Sequence, residues 1–171
     1  MPTRQILNVH TVKDTTDMRM YWHNQGNYLA VMNQYMQKKT TKYSVELFDT
    51  KSISYNSIPH QQIVINREVS DFHSVVFEPN QGKFAIHMKW RKVIEGKQFS
   101  NDPYKNGCEV YQIKTDALLG FNVKQVGVIN SDKVYEVYFS CAGNILCTIE
   151  QESGMRYALN FYYISKISNE G

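Results

Sequence analysis

Cysteine is scarce in this 171-residue chain, with three in all, and Cys108, Cys141 and Cys147 show no Cys-x-x-Cys spacing. Neither a disulfide framework nor a zinc knuckle is expected from them; unpaired cysteines of this kind behave as small buried hydrophobes. No apolar run nears the roughly 18 residues that a membrane-spanning helix needs. Met1-Pro2-Thr3-Arg4-Gln5-Ile6-Leu7 shows no apolar stretch followed by a small-residue cleavage site, and no Asn-x-Ser/Thr acceptor occurs. A soluble, cytoplasmic chain is therefore expected. Formal charge is small as well: +3 does not announce a nucleic-acid binder without local clustering.

Signatures of catalysis are also absent. There is no Gly-x-Ser-x-Gly elbow, no glycine-rich phosphate loop and no His-Glu-x-x-His pattern, so neither an enzyme nor a bound cofactor or metal is expected. Asp71, His73 and His87 could meet if the strands carrying them pair; they could form a proton relay or simply tie neighbouring turns together. Glu150 and Glu152 form the closest carboxylate pair, at a strand end that suits a solvated edge.

One phrase recurs three times: Met20-Tyr21-Trp22-His23-Asn24-Gln25-Gly26-Asn27-Tyr28-Leu29-Ala30-Val31, Val76-Phe77-Glu78-Pro79-Asn80-Gln81-Gly82-Lys83-Phe84-Ala85-Ile86, and Val137-Tyr138-Phe139-Ser140-Cys141-Ala142-Gly143-Asn144-Ile145-Leu146. Each reads as a strand ending in an aromatic residue, a tight turn with glycine, and a second apolar strand. Fixed-period self-similarity marks a stacked or radial repeat. A third strand recurs at Ser44–Asp49, Cys108–Ile113 and Leu159–Ile164, and fourth-strand segments follow at Gln62–Ile65 and Val123–Ile129.

Four antiparallel strands per unit make the blade of a β-propeller. The expected fold is all-β, a fragment of a WD40-like propeller with about three four-stranded blades. Its boundaries are an outer strand of a preceding blade at 4–12, blades at 18–68 and 74–129, and an incomplete blade at 134–164. Trp22, Phe77 and Phe139 hold one repeat position and are expected to be buried between blades. The stretch 115–121 could be one helical turn or a plain loop.

Two connections are basic. Residues 36–43 contain Lys38, Lys39 and Lys42, and residues 89–107 contain Lys89, Trp90, Arg91, Lys92 and Lys97. Both join the second and third strands of their units, so a propeller would present them on one face. Cations interleaved with an aromatic suit a phosphate backbone or an anionic protein. An ordinary solvated strand end, with Trp90 folded back on the sheet, is the other reading.

The order of Pro2-Thr3-Arg4-Gln5, Leu7-Asn8-Val9 and the first phrase resembles the later blades of the propeller in the B-type subunit family of eukaryotic translation initiation factor 3. Phe77-Glu78-Pro79-Asn80-Gln81-Gly82-Lys83-Phe84-Ala85 is similar to that family's Trp-Glu-Pro-Asn-Gly-x-Lys-Phe-Ala, with Phe77 in place of tryptophan. The likeness covers nearly the whole chain and weakens after about residue 88. It implies a non-catalytic scaffold that docks on the small ribosomal subunit, touching ribosomal RNA or protein, and organises other subunits of that factor. The propeller of initiation factor 2A is similar in its Trp-x-x-x-Gly phrases, and a propeller enzyme is a reading of a different class. Unpaired end strands further lead us to expect self-association of the isolated chain.

Overall fold

The computed structural model describes residues 9–12, 14–52, 60–67, 69, 71–80, 82–90, 105–116, 120–131 and 133–164. Alternating apolar and polar residues interrupted by turns produce antiparallel meanders throughout. The first sheet has the order β1 (Thr15–Trp22), β2 (Tyr28–Gln37), β3 (Thr40–Asp49) and β4 (Gln61–Arg67), with one 3₁₀ turn at Thr50–Ser52. The second runs β5 (Asp71–Phe77), β6 (Lys83–Trp90), β7 (Lys105–Asp116) and β8 (Gly120–Asn130). The third has three strands, β9 (Val134–Phe139), β10 (Ile145–Gln151) and β11 (Tyr157–Tyr163), with β11 at its edge.

The repeat extends to details of the backbone. Each first strand carries a bulge: pairing skips Thr16 in β1, His73 in β5 and Tyr135 in β9. Such bulges bend a strand and increase its twist. In every sheet the residue after the aromatic donates its N–H across the turn, His23 to Tyr28, Glu78 to Lys83 and Ser140 to Ile145. In every sheet, too, a residue on the third strand or just past its end returns a bond to that turn, from Thr50 to Asn27, Ile113 to Gly82 and Ile164 to Asn144.

The glycines of the phrase do not all serve the same end. Gly26 and Gly143 take left-handed φ values of 69° and 75°, which non-glycine residues adopt only with strain. Gly82 does not. It stands one position later in a turn of the same length, and a Cβ there would lie 3.0 Å from the Ile113 carbonyl oxygen, so glycine at this position serves close approach to β7.

The chain forms two compact units, one of Met1–Arg67 with Lys114–Val123 and one of Glu68–Ile113 with Lys124–Gly171. In the first, one face of the sheet buries Ala30, Met32, Val45 and Leu47 completely. The end of the β7–β8 hairpin joins this unit: the Val123 N–H donates to Gln62 Oε1 at 2.9 Å, and Phe121 meets Tyr28 edge to face. Of the stretch 115–121, for which a helical turn or a loop was expected, residues 115–116 and 120–121 are strand, and 117–119 lie outside the described residues.

In the second unit, Ala85, Cys108 and Val110 of the second sheet pack with Val134, Val137 and Leu146 of the third, bordered by Phe139 and Tyr162. Burial, reinforced by Glu109, pushes the Cys108 thiol up to about 12, which makes it an inert core residue. Cys141, expected to be buried, is exposed in the β9–β10 turn, and Cys147 is half-buried.

Burial of the repeated aromatics differs from expectation. Phe77 is buried against Phe84, Phe139 is half-buried, but Trp22 is 59% exposed. The registers Trp22↔Leu29, Phe77↔Phe84 and Phe139↔Leu146 show that the repeat position itself is right. What differs is the cover. In the third sheet this face packs on the second sheet, whereas among the described residues only the 9–12 segment lies on the corresponding face of the first, where His10 meets Phe48 and Glu46.

The 36–43 loop is also shorter than its composition suggests. Met36 pairs with Thr41 and Gln37 with Thr40, leaving Lys38-Lys39 as a two-residue turn. Both lysines adopt positive φ, 48° and 67°, as a type I′ hairpin turn demands to match strand twist. Lysine is a poor residue for such backbone. Replacing the pair by Asn-Gly should therefore stabilise the chain by about 1 kcal/mol, seen as a raised urea midpoint; an unchanged midpoint would show that the turn is unstrained.

Candidate interaction surfaces

The cationic candidates fall into two groups. Lys38 and Lys39 stand exposed at the tip of the β2–β3 hairpin, with Lys42 half-buried on β3. No carboxylate among the described residues pairs with Lys38 or Lys39. In the second unit Lys89 lies on β6 in register with Asp71, and Trp90 ends the strand. Arg91, Lys92 and Lys97 lie outside the described residues. The structure thus brings Lys38, Lys39 and Lys42 together on one hairpin and Lys89 and Trp90 to the end of one strand.

Asp71, His73 and His87 do converge. The His73 and His87 rings lie 4.4 Å apart, and Asp71 stands 4.0 Å from His73 Nδ1. Yet His87 is 1% exposed, and strand register places it where the first sheet has Met32: Ala85 and Val110 pair across β6–β7 as Ala30 and Leu47 do across β2–β3. Burial, then the neighbouring His73, pulls the His87 pKa down to about 4. Its Nε2 has no hydrogen-bond partner among the described residues. A histidine held neutral on a core face fits the structural reading of the cluster.

The Glu-Pro-Asn segment has a visible role within the second unit. Glu78 is completely buried, and its Oε1 accepts the Asn80 N–H at 2.9 Å. Asn80 Nδ2 in turn donates to the Cys141 carbonyl at 2.7 Å, and the Glu78 carboxylate sits directly over Gly143. Side chain and backbone here fasten the β5–β6 turn to the β9–β10 turn. Sequence inspection singled out these residues as a motif but had no signal for this contact.

Two apolar sheet faces are open. On the first sheet Met18, Met20 and Trp22 share an exposed face with 49–62% of each residue accessible. On the third, Tyr138, Leu159, Phe161 and Tyr163 line another, Phe161 being 67% exposed. Beside the third sheet an apolar cleft of about 180 Å³ opens between Val126–Ile129 of β8 and Tyr162–Ile164 at the end of β11. Patches of contiguous apolar surface are rarely left bare without an interaction to serve.

Three antiparallel sheets that repeat one plan of strands, bulge and turn define a propeller-like all-β class. The chain belongs to the family described as Eukaryotic translation initiation factor eIF2A, whose family model matches residues 10–150. It is also similar to the B-type subunit of Eukaryotic translation initiation factor 3 from Arabidopsis thaliana, 23% identical over 169 residues. That match takes in 98% of this chain and 21% of the relative, so the chain spans about a fifth of the curated protein it resembles. No helix among the described residues is long and apolar enough to cross a membrane.

Proposed function

We propose that this chain is a non-catalytic, cytoplasmic scaffold of translation initiation: a propeller segment like that of the B-type subunit of initiation factor 3, which docks on the small ribosomal subunit and helps to organise other subunits of that factor. Support comes from the family match over most of the chain, and the observation that carries the docking step is the exposed Lys38-Lys39 tip with no carboxylate partner among the described residues. A solvated ammonium at a rigid hairpin tip can reach phosphate at little entropic cost. The family model equally favours a propeller of the factor 2A type, and a complex isolated from cells separates the two by its accompanying subunits. A propeller enzyme has less in its favour, since His87, one member of the histidine cluster among the described residues, is buried and held neutral.

Reversing Lys38, Lys39, Arg91 and Lys92 to Glu should weaken binding to purified small subunits and flatten its salt dependence by roughly one unit of log–log slope per lost phosphate contact. The Asn-Gly turn variant provides the control, because it should be more stable yet bind less tightly. Equal binding by all three proteins would remove these cations from the docking surface.

A further inference from the structure

We propose that the outer end of the β2–β3 hairpin binds an RNA duplex along its backbone, with Lys38, Lys39 and Lys42 on phosphates and Gln37 and Thr40 against ribose 2′-hydroxyls. The inference rests on the phosphate-seeking tip of the proposed docking step and names the kind of RNA it meets. Pairing to β1 ends at Tyr35 and, among the described residues, pairing to β4 ends at Tyr43, yet β2 and β3 go on pairing with each other to Gln37 and Thr40. The last two rows and the turn therefore extend past the neighbouring strands as a two-stranded ribbon, roughly 10 Å long at the usual strand rise. A two-residue turn with both lysines at positive φ keeps the ribbon closed and its cations at the apex.

The two faces of the ribbon differ. Gln37 pairs with Thr40, two positions along from the Tyr35–Lys42 pair, so these four side chains share one face. Gln37 is exposed, Thr40 and Lys42 are half-buried, and neither the Gln37 amide nor the Thr40 hydroxyl makes a hydrogen bond among the described residues. On the opposite face the Thr41 hydroxyl donates to Met36 Sδ at 3.4 Å. One face thus offers uncommitted donors and acceptors between cations. No carboxylate among the described residues pairs with Lys38, Lys39 or Lys42; Asp14 stands at the ribbon's base, where Thr15 pairs with Tyr35, and Asp17 is held by Arg19.

The same side chains select among nucleic acids. Single strands are held by stacking their bases on exposed aromatic rings, and the ribbon offers none: Tyr35 at its base is half-buried with its hydroxyl donating to Asn66, and Tyr43 is buried. In an A-form duplex the bases are already stacked, the deep and narrow major groove shuts side chains out, and recognition runs through phosphates and 2′-hydroxyls across a wide, shallow minor groove. A short polar ribbon with cations at its apex suits that groove. Gln37 and Thr40 meet a hydroxyl that DNA lacks, so they supply the preference for RNA, whereas the lysines answer to phosphate on either backbone.

Fluorescence anisotropy of the 171-residue chain with a labelled RNA duplex of about 16 base pairs, the DNA duplex of the same sequence and the RNA single strand tests this at low salt. The RNA duplex should bind most tightly. Lys38→Glu with Lys39→Glu should weaken that binding at least about tenfold and flatten its log–log salt slope by about two units, at roughly 0.9 per phosphate contact. Gln37→Ala with Thr40→Val should leave the slope unchanged and narrow the preference for RNA over DNA, a ratio that a merely loosened hairpin would not move. The Asn-Gly turn variant controls for folding, since it should be more stable yet also lose duplex binding. Docking and duplex binding can fail separately: variants that lose the duplex but keep small subunits would remove only the docking step. A duplex left unbound, or bound equally by wild type and the charge-reversed variant, would overturn the proposal; if small-subunit binding still fell on reversal, the tip would be meeting protein. Single strands bound as tightly, or RNA and DNA duplexes bound alike, would overturn it too.

Discussion

Gly143→Ala should destabilise the chain by about 3 to 4 kcal/mol. Roughly 1 to 2 kcal/mol of that is the left-handed backbone that an alanine must hold at this turn. The remainder, about 2 kcal/mol, is overpacking, because the new methyl would fall within the Glu78 carboxylate. Glu78 cannot swing aside: it is completely buried, and Asn80 holds its Oε1. Gly26→Ala separates the two contributions. Gly26 has nearly the same φ, 69° against 75°, but nothing within 4 Å of its would-be Cβ, so it should show the backbone contribution alone. Urea unfolding of Gly143→Ala in a Glu78→Ala background completes the cycle. If the collision is real, the alanine should there cost no more than it does at Gly26; equal costs at both glycines in the wild-type background would mean that the two turns are not fastened as described.

Much of this fold could be read before any coordinates, because the repeated phrase combines two strong local signals, period-two alternation and a turn closed by glycine. Its limits are physical. The bulges at Thr16, His73 and Tyr135 leave no mark, since one skipped residue merely shifts an alternation that polar substitutions already blur. The β2–β3 hairpin runs on to Gln37 and Thr40 although Met36-Gln37-Lys38-Lys39-Thr40-Thr41-Lys42 reads as a basic loop. Ladder hydrogen bonds there are made by backbone, whatever the side chains face. Trp22 shows the clearest boundary: register assigned it correctly to a repeat position, but whether that face is covered depends on a neighbour. For the same reason the cationic candidates were legible only as local charge, while the Glu78–Gly143 contact joins turns about as far apart in sequence as the repeat is long.

His87 offers the sharpest pH signature. Its folded pKa, about 4, lies below the ordinary value of 6.5 because burial disfavours the imidazolium and His73 adds repulsion; Asp71, Glu136 and the Val134 backbone oppose the shift without reversing it. The folded chain therefore takes up this proton less readily than the unfolded chain. Stability is at full value above pH 6.5, falls as pH drops from 6.5 towards 4, and levels off below, when both states are protonated. The loss attributable to this one group is at most about 3 kcal/mol. Carboxylates titrate in the lower part of the same window, so the comparison must cancel them. His87→Met does so, since it places at this position the residue that the first sheet carries as Met32, removes the titration and keeps an apolar side chain on the core face. Between pH 7 and pH 4.5 the wild type should lose about 2 kcal/mol more than the variant in urea unfolding. Parallel losses would show that water or a rearranged His73 relieves His87 on protonation, and that this core face is less sealed than its burial implies.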